Sequence, residues 1–153
     1  MTTVYKIPRS VLVVIHTPDL EVLMMERAGW KDFWQSVTGS VATESEPLRE
    51  TAIREVREET GLDAARYELR DWDVENRFEI FTKHRSRYAP GVTHNTEHVF
   101  SMAVPGTLPI RLDPAEHLSY KWLPWRDAAA ITISWTNRDA ILALPARTGV
   151  RAK

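Results

Sequence analysis

The segment 47–60 constrains this chain more than any other part of its sequence. Pro47 suits the first turn of a helix and Gly61 suits the position just past a helix end, so the segment predicts one helix. Apolar residues recur at every fourth position of this helix, at Leu48, Ala52 and Val56. This apolar stripe predicts that the helix packs on a sheet.

The same helix carries three carboxylates, at Glu55, Glu58 and Glu59. At about 100° per residue they lie on one face beside the apolar stripe, where like charges repel one another. Mg²⁺ and Mn²⁺ prefer carboxylate oxygens and commonly bridge protein carboxylates to substrate phosphates. The cluster therefore indicates a metal site. The alternative is a solvated helix face on which Arg54 and Arg57 supply the partners.

Segments with strand-like patterns lie on both sides of this helix. The predicted strands are 10–17, 20–27, 34–41, 67–75, 77–84, 97–104 and 117–123, and the predicted late helices are 125–131 and 136–144. Strands on both sides of a central helix, followed by late helices, predict an α/β (α+β) fold in which a mixed sheet lies between helices.

Composition and charge exclude several classes of function. The 153 residues carry 20 Lys and Arg against 21 Asp and Glu, and this near-neutral balance offers no bulk attraction to nucleic acid or acidic membranes. The absence of Cys excludes disulfides, thiolate catalysis and Cys-based zinc sites. The start of the chain has no apolar signal-peptide core, and no apolar run is long enough to span a membrane. We expect one domain over 1–153 and a cytoplasmic location.

A longer motif surrounds the helix. Gly39 is followed by six residues, Glu46, seven residues and then Arg54-Glu55-Val56-Arg57-Glu58-Glu59-Thr60-Gly61-Leu62. Over about 39–62 this resembles the box of the Nudix hydrolase family, and from Glu46 to Leu62 every specified position matches. The family pattern has five residues where this chain has six, and it usually has Gly where Ser45 stands.

The resemblance implies a Nudix-like α/β/α sandwich that uses Mg²⁺, for which Mn²⁺ substitutes, to hydrolyse a diphosphate linked to another group. The metal ligands that it implies are Glu55, Glu59, Glu58, Glu116 and the carbonyl of Gly39. The same four carboxylates are the implied catalytic residues. The implied structural positions are Glu46, Arg54 and Gly61, with Arg54 paired to Glu46 so that it orients the helix carboxylates.

Glu116 lies far beyond the helix in the chain, so sequence geometry alone does not bring it to the site. The resemblance places it in a loop facing the helix, where it holds a second metal or positions water as a general base. Glu97 is the reserve candidate for this role. None of the five His residues is assigned to a metal.

Segments outside the box resemble one bacterial branch of the family. They are 4–6, 32–41, 78–81, 87–93, 95–97 and 116–123. That branch acts in folate biosynthesis and hydrolyses 7,8-dihydroneopterin triphosphate to dihydroneopterin monophosphate and pyrophosphate. The substrate-binding residues that this resemblance implies are Lys6, Arg27, Thr38, Phe78, Glu79, Ile80, Phe81 and Ser134.

The chemistry of several of these residues suits such a ligand. Lys6 and Arg27 neutralise phosphate oxygens, and Phe78 and Phe81 supply a flat apolar wall for the ring. Strand alternation puts the two Phe on opposite faces, so we expect at most one of them to stack. Ser134 is equally well explained as a helix cap.

Two other functions stay open on the sequence. The alternative enzyme is a general (d)NTP pyrophosphohydrolase that cleans the nucleotide pool. A sensor that binds a phosphorylated ligand without catalysis is less favoured, because it has no need of three intact helix carboxylates. The expected partner is a small-molecule pterin or nucleoside triphosphate, with no nucleic acid and no membrane, and the expected assembly is a monomer or small homo-oligomer.

Overall fold

The computed structural model describes residues 4–150. Its strands are β1 (Arg9–His16), β2 (Glu21–Arg27), β3 (Trp34–Gln35), β4 (Val37–Ser40), β5 (Glu68–Glu79), β6 (His94–Ala103) and β7 (His117–Pro124). Its helices are α1 (Leu48–Thr60), α2 (Trp125–Ile131), α3 (Trp135–Leu142) and α4 (Leu144–Thr148), with short 3-10 helices at Ala64–Arg66 and Thr82–Arg87.

All seven strands form one mixed sheet, as the sequence predicts. The central strand is β1, and its β-branched and apolar residues are buried on both faces of the sheet. On one side β1 runs parallel to β6, which pairs with β5. On the other side β4 pairs with β1 from Ser10 to Val13, and β2 contacts it at His16. The strands β4 and β2 therefore contact different parts of β1, and a cleft lies beside the start of β1.

Helices cover both faces of the sheet, which confirms the predicted layers. On one face α1 packs Ala52 and Val56 against Val11 and Val13 of β1. On the other face the late helices pack against the alternate residues of β1, such as Leu12. Because successive side chains of a strand point to opposite faces, β1 supplies both cores.

The ends of α1 follow the sequence prediction. Pro47 stands immediately before the helix, and Gly61 ends it with a φ of 76°. This left-handed conformation is costly for a residue with a Cβ, which explains the glycine.

Four predicted elements were wrong in their boundaries. The segment 34–41 is two strands, because the backbone N–H of Ser36 leaves the ladder and donates to the Asn137 side chain at 2.8 Å. The segments 67–75 and 77–84 are one strand that ends at Glu79, and the chain then turns into a 3-10 helix. The last predicted helix is divided into α3 and α4. Within residues 4–150, no helix has the length and apolar character needed to cross a bilayer.

Candidate active site

The carboxylates of α1 do not share one environment. Glu55 and Glu59 are buried, one helical turn apart, and face the cleft beside β4. Glu58 is exposed, and its carboxylate lies 3.5 Å from the guanidinium of Arg54. The structure therefore brings two of the three predicted helix ligands to one site and leaves Glu58 at its solvent side.

Gly39 allows the Glu55 carboxylate to approach the backbone of β4. A Cβ at this position would overlap the carboxyl carbon and both oxygens of Glu55. The close approach of Glu55 to β4 therefore requires a residue without a side chain at position 39. The glycine at the head of the motif and the first glutamate of the helix form one unit in space.

An ion pair between Arg54 of α1 and Glu46 of the preceding loop stabilises this unit. Nη2 of Arg54 donates to Glu46 at 2.8 Å and to the carbonyl of Ser40 at 3.0 Å, and Nη1 donates to Glu55 at 2.8 Å. Hydrogen bonds from Arg54 lower the pKa of Glu46 to about 2, with further help from Thr51. The pairing of Arg54 with Glu46 that the resemblance implies is present despite the additional residue in the loop.

Glu116 reaches the same cleft from the loop before β7. Its backbone carbonyl accepts a hydrogen bond from the N–H of Ala28 at 2.8 Å, which ties the loop to the end of β2. One ligand atom each from Glu59, Glu116 and His117 lie within 4.8 Å of one another. The structure thus brings Glu116 to the helix carboxylates and adds His117, which the sequence analysis does not assign to a metal.

This cluster has the properties of a cation site. Glu59 is 1% exposed, and both of its carboxylate oxygens lack a hydrogen-bond partner within residues 4–150. Burial raises the pKa of Glu59 well above its usual value, and the neighbouring Glu55 carboxylate raises it further. Burial likewise raises the pKa of Glu55. A divalent cation would offset both the cost of burying Glu59 and its repulsion by Glu55, so these residues fit such an ion.

His117 is suited to act as a neutral ligand. Burial, followed by the positive charge of Arg27, lowers its pKa to about 4. Its Nε2 lies 3.7 Å from Oε1 of Glu59. A neutral imidazole keeps a lone pair free for a metal.

A basic strip lies next to the acidic cluster. Lys6, Arg27 and Arg87 line the cleft together with the backbone of β4, which includes Thr38. Partial removal from water, followed by the charges of Arg87 and Arg27, lowers the pKa of Lys6. Three cations held this close to one another suit a ligand that carries several negative charges.

An aromatic pocket continues from the basic strip. Its walls include Phe33, Phe78, Ile80, Phe81 and His84. Phe78 and Phe81 both line it, although regular strand alternation would put them on opposite faces. The reason is that β5 ends at Glu79, and strand alternation no longer applies at Phe81.

The pocket and the acidic cleft are one continuous depression. The residues that line both are Lys6, Arg27, Gln35, Thr38, Gly39, Ser40 and Arg87. Ser134 lines the pocket and also caps α3, where its hydroxyl accepts from the N–H of Asn137 at 3.3 Å. The helix cap is therefore present, and a contact of Ser134 with the ligand stays a prediction.

Two candidate residues lie elsewhere than expected. Glu79 does not line the pocket, because its exposed side chain pairs with Arg85 at the rim, and this argues against direct substrate contact. Glu97, the reserve metal candidate, lies in the aromatic pocket and is absent from the lining of the acidic cleft.

Comparison with known proteins decides the family. The sequence model of the NUDIX domain matches residues 6–144. The chain belongs to the NUDIX family. It is 50% identical to dihydroneopterin triphosphate diphosphatase of Escherichia coli K12 over 141 residues, which cover 90% of this chain and 92% of that protein. It is 42% identical to the Haemophilus influenzae protein of the same name, over 90% of this chain and 87% of that one.

A solved structure gives the same result for the fold. The structure of the E. coli dihydroneopterin triphosphate pyrophosphohydrolase matches with a TM-score of 0.85 and 51% identity, over 91% of this chain and 95% of that one. NUDIX proteins generally use divalent metal ions, and NUDIX hydrolases act on small-molecule nucleotide substrates. The acidic cleft and the basic strip agree with both properties.

Sequence reasoning missed part of this NUDIX site. The rings of Trp30, Phe33, Phe81 and His84 pack edge to face or tilted, with centroids 4.7–6.4 Å apart, and three of them line the pocket. The signal for His117 was its position directly after Glu116. The sequence indicates Phe81 but not its packing against Trp30, Phe33 and His84, because only the fold brings these two loops together.

Proposed function

We propose that this protein hydrolyses 7,8-dihydroneopterin triphosphate to dihydroneopterin monophosphate and pyrophosphate in folate biosynthesis, with Mg²⁺ as the metal and Mn²⁺ as a substitute. The two named relatives, each matched over 90% of this chain, support the substrate. The observation that carries the proposal is the continuity of the aromatic pocket, basic strip and acidic cleft. A flat ring, a phosphate chain and a metal ion match these three parts in that order.

Glu55, Glu59 and Glu116 would hold the metal, with His117 beside them. When bound, Mg²⁺ offsets phosphate charge and lowers the pKa of water. The residues of the chain do the remaining work. Phe33, Phe78 and Phe81 enclose the ring and keep water from that end of the substrate, which positions the phosphate chain in the cleft.

The basic strip favours pyrophosphate as the leaving group. Negative charge accumulates on the outer two phosphates as the bond to the first phosphate breaks. Lys6, Arg27 and Arg87 stand between the ring pocket and the acidic cleft, where they neutralise this charge as it develops. Glu116 is exposed at the mouth of the cleft, and the alternative to its metal role is that of general base for the attacking water.

The test is hydrolysis of dihydroneopterin triphosphate with Mg²⁺ in ¹⁸O-labelled water, followed by mass spectrometry of both products. We expect pyrophosphate as the first product. Orthophosphate as the first product would contradict the position of cleavage. Values of kcat/KM for this substrate and for the four dNTPs then separate the proposed activity from the alternative, a general (d)NTP pyrophosphohydrolase.

The roles given to individual residues are part of this proposal. One domain over 1–153, a cytoplasmic location and a monomer or small homo-oligomer stay predictions. Residues 1–3 and 151–153 of that domain lie outside the described part of the chain.

A further inference from the structure

A second cavity lies at the end of the sheet away from the candidate active site. It has a volume of about 430 Å³ and lies where β1 and β6 end, where β5 begins and beside α4. None of its lining residues lines the aromatic pocket or the acidic cleft. His16 lines this cavity and Ser10 lines the aromatic pocket, and at about 3.3 Å per residue they stand about 20 Å apart along β1. The cavity is therefore separate from the site described above, and its size suits a small molecule.

The floor of this second cavity is buried and carries two polar side chains. His16 is 5% exposed and Ser101 is 4% exposed. Val14 lies opposite Ser101 in the parallel pairing of β1 with β6. Because side chains two residues apart on a strand share a face, His16 and Ser101 project from the same face of the sheet. They therefore present their polar atoms to the same space.

The existing hydrogen bonds leave one acceptor and one donor at this floor. Nδ1 of His16 lies 3.1 Å from the carbonyl of Thr17, and since a carbonyl only accepts, Nδ1 carries the proton and Nε2 is an acceptor. Oγ of Ser101 accepts from Nε1 of Trp72 at 2.9 Å, which leaves the hydroxyl proton to donate. No hydrogen bond within residues 4–150 uses Nε2 of His16 or this proton. Burial lowers the pKa of His16, which favours the neutral imidazole and keeps the lone pair of Nε2 free.

This combination of acceptor and donor restricts the polar group of a ligand. A carboxylate has no proton for Nε2 of His16, and an ammonium group has no lone pair for the hydroxyl of Ser101. A hydroxyl group both donates and accepts, so a single hydroxyl satisfies both residues. The floor therefore favours an alcohol or a phenol over a charged ligand.

Apolar side chains surround the polar floor. Leu20 and Trp72 are buried and line the cavity, and Ala103 lines it beside Ser101. An apolar wall with a few polar groups at one place is typical of a site that holds a mostly apolar molecule in one orientation.

The rim of the cavity carries balanced charge. Its charged side chains are two Arg and two acids, all exposed: Arg70, Arg147, Glu68 and Asp71. Nε of Arg70 donates to Glu68 at 2.7 Å. The guanidinium of Arg147 lies 4.9 Å from the ring centroid of Trp72 and donates to the carbonyl of that residue at 3.3 Å. Unlike the basic strip, this rim has no surplus of positive charge for a phosphate chain, which also favours an uncharged ligand.

We propose that the second cavity binds a small uncharged molecule with an apolar body and one hydroxyl group, which donates to Nε2 of His16 and accepts from the hydroxyl of Ser101. This inference does not rest on the proposed function, because no residue of the cavity takes part in it.

The first experiment titrates the full-length ¹⁵N-labelled protein with phenol, toluene and anisole, followed by NMR. Transfer from water favours toluene over phenol, so an entirely apolar cavity would prefer toluene. Anisole keeps the oxygen but has no proton for His16. We expect phenol to bind with a Kd at least about threefold lower than either analogue, with the largest amide shifts at residues 16–20 and 101–103. The proposal is overturned if phenol shows no saturable binding, if either analogue or benzoate binds as tightly, or if the shifts are confined to the aromatic pocket.

The second experiment changes the cavity itself. His16→Asn keeps a donor for the carbonyl of Thr17 and removes the Nε2 acceptor, so the preference for phenol over toluene should be lost. Ala103→Leu fills the cavity and should weaken the binding of phenol at least about tenfold. The matched control is His98→Asn, the same change at a histidine that lines neither this cavity nor the active-site depression, and it should keep the preference. An unchanged Kd of phenol in folded His16→Asn or Ala103→Leu overturns the proposal, and the wild-type series decides alone if neither variant folds.

Discussion

Without metal, the Glu59→Gln variant should be more stable than the wild type, and with metal the wild type should be the more stable of the two. Glu59 is almost fully buried, its oxygens lack partners within residues 4–150, and Glu55 lies one turn away. Glutamine has nearly the same volume and no charge. Without metal, we expect the variant to be the more stable protein, because it removes the buried carboxyl group whose pKa is raised by burial and by the neighbouring Glu55.

The metal should stabilise only the wild type. At a concentration of Mg²⁺ about 100 times its Kd, binding to the folded state alone adds about 2.7 kcal/mol. For a chain of this length, about 1 kcal/mol shifts Tm by about 2–4 °C, so the wild type should gain about 5–11 °C. The variant has lost a ligand and should gain much less, while its turnover should fall by at least about 100-fold.

The assay is thermal unfolding in EDTA and in Mg²⁺ at several concentrations, with turnover measured on the same samples. Glu50→Gln is the matched control, since Glu50 is an exposed carboxylate in the first turn of the same helix. It should show the Mg²⁺-dependent gain of the wild type. An equal gain in Glu59→Gln and the wild type would refute the assignment of Glu59 as a metal ligand.

Three further substitutions probe the parts around this ligand. Gly39→Ala should displace the Glu55 carboxylate and weaken Mg²⁺ binding measured by calorimetry, and an unchanged Kd would show that the close approach is unnecessary. Glu116→Gln should lower kcat with little change in Tm, and an unchanged kcat across the pH range would exclude its role. The low pKa of Glu46 means that its pairing with Arg54 stabilises the fold fully above about pH 4.5 and is lost as the pH falls toward about 2. In acid titrations monitored by urea unfolding, Glu46→Gln should therefore be least stable relative to the wild type near neutral pH, and a constant difference would contradict this.

The sequence predicts the acidic side of the site well because local geometry creates it. Glu55 and Glu59 lie one turn apart on any helix, and the apolar residues next to them direct that face toward the sheet. Helix geometry also places Glu58 at a different angle around the axis from Glu59. It does not determine how deeply each carboxylate is buried. Glu58 is exposed because α1 directs Glu55, and not Glu58, against β4, which is a property of the folded sheet.

The ring pocket is harder to predict because distant loops form it. Phe33 precedes β3 and Phe81 follows β5, and their rings meet because β2 and β5 both run opposite to β1 and so end at the same end of the sheet. Regular alternation predicts opposite faces for Phe78 and Phe81. Because β5 ends at Glu79, strand alternation does not extend to Phe81. No glycine or proline in 78–81 marks the end of the strand.

Recognition of the ring and the position of cleavage have a common physical origin in the polarity of the depression. Aromatic side chains line the ring pocket, cations line the shared strip, and carboxylates line the far cleft. A substrate that slid toward the carboxylates would withdraw its ring from the aromatic side chains. A substrate that slid toward the ring pocket would withdraw its phosphate chain from the basic strip and the acidic cleft. Both displacements lose interactions at one end without gaining equivalent ones at the other, so the arrangement of apolar, basic and acidic parts that holds the ring also determines which phosphate bond meets the acidic site.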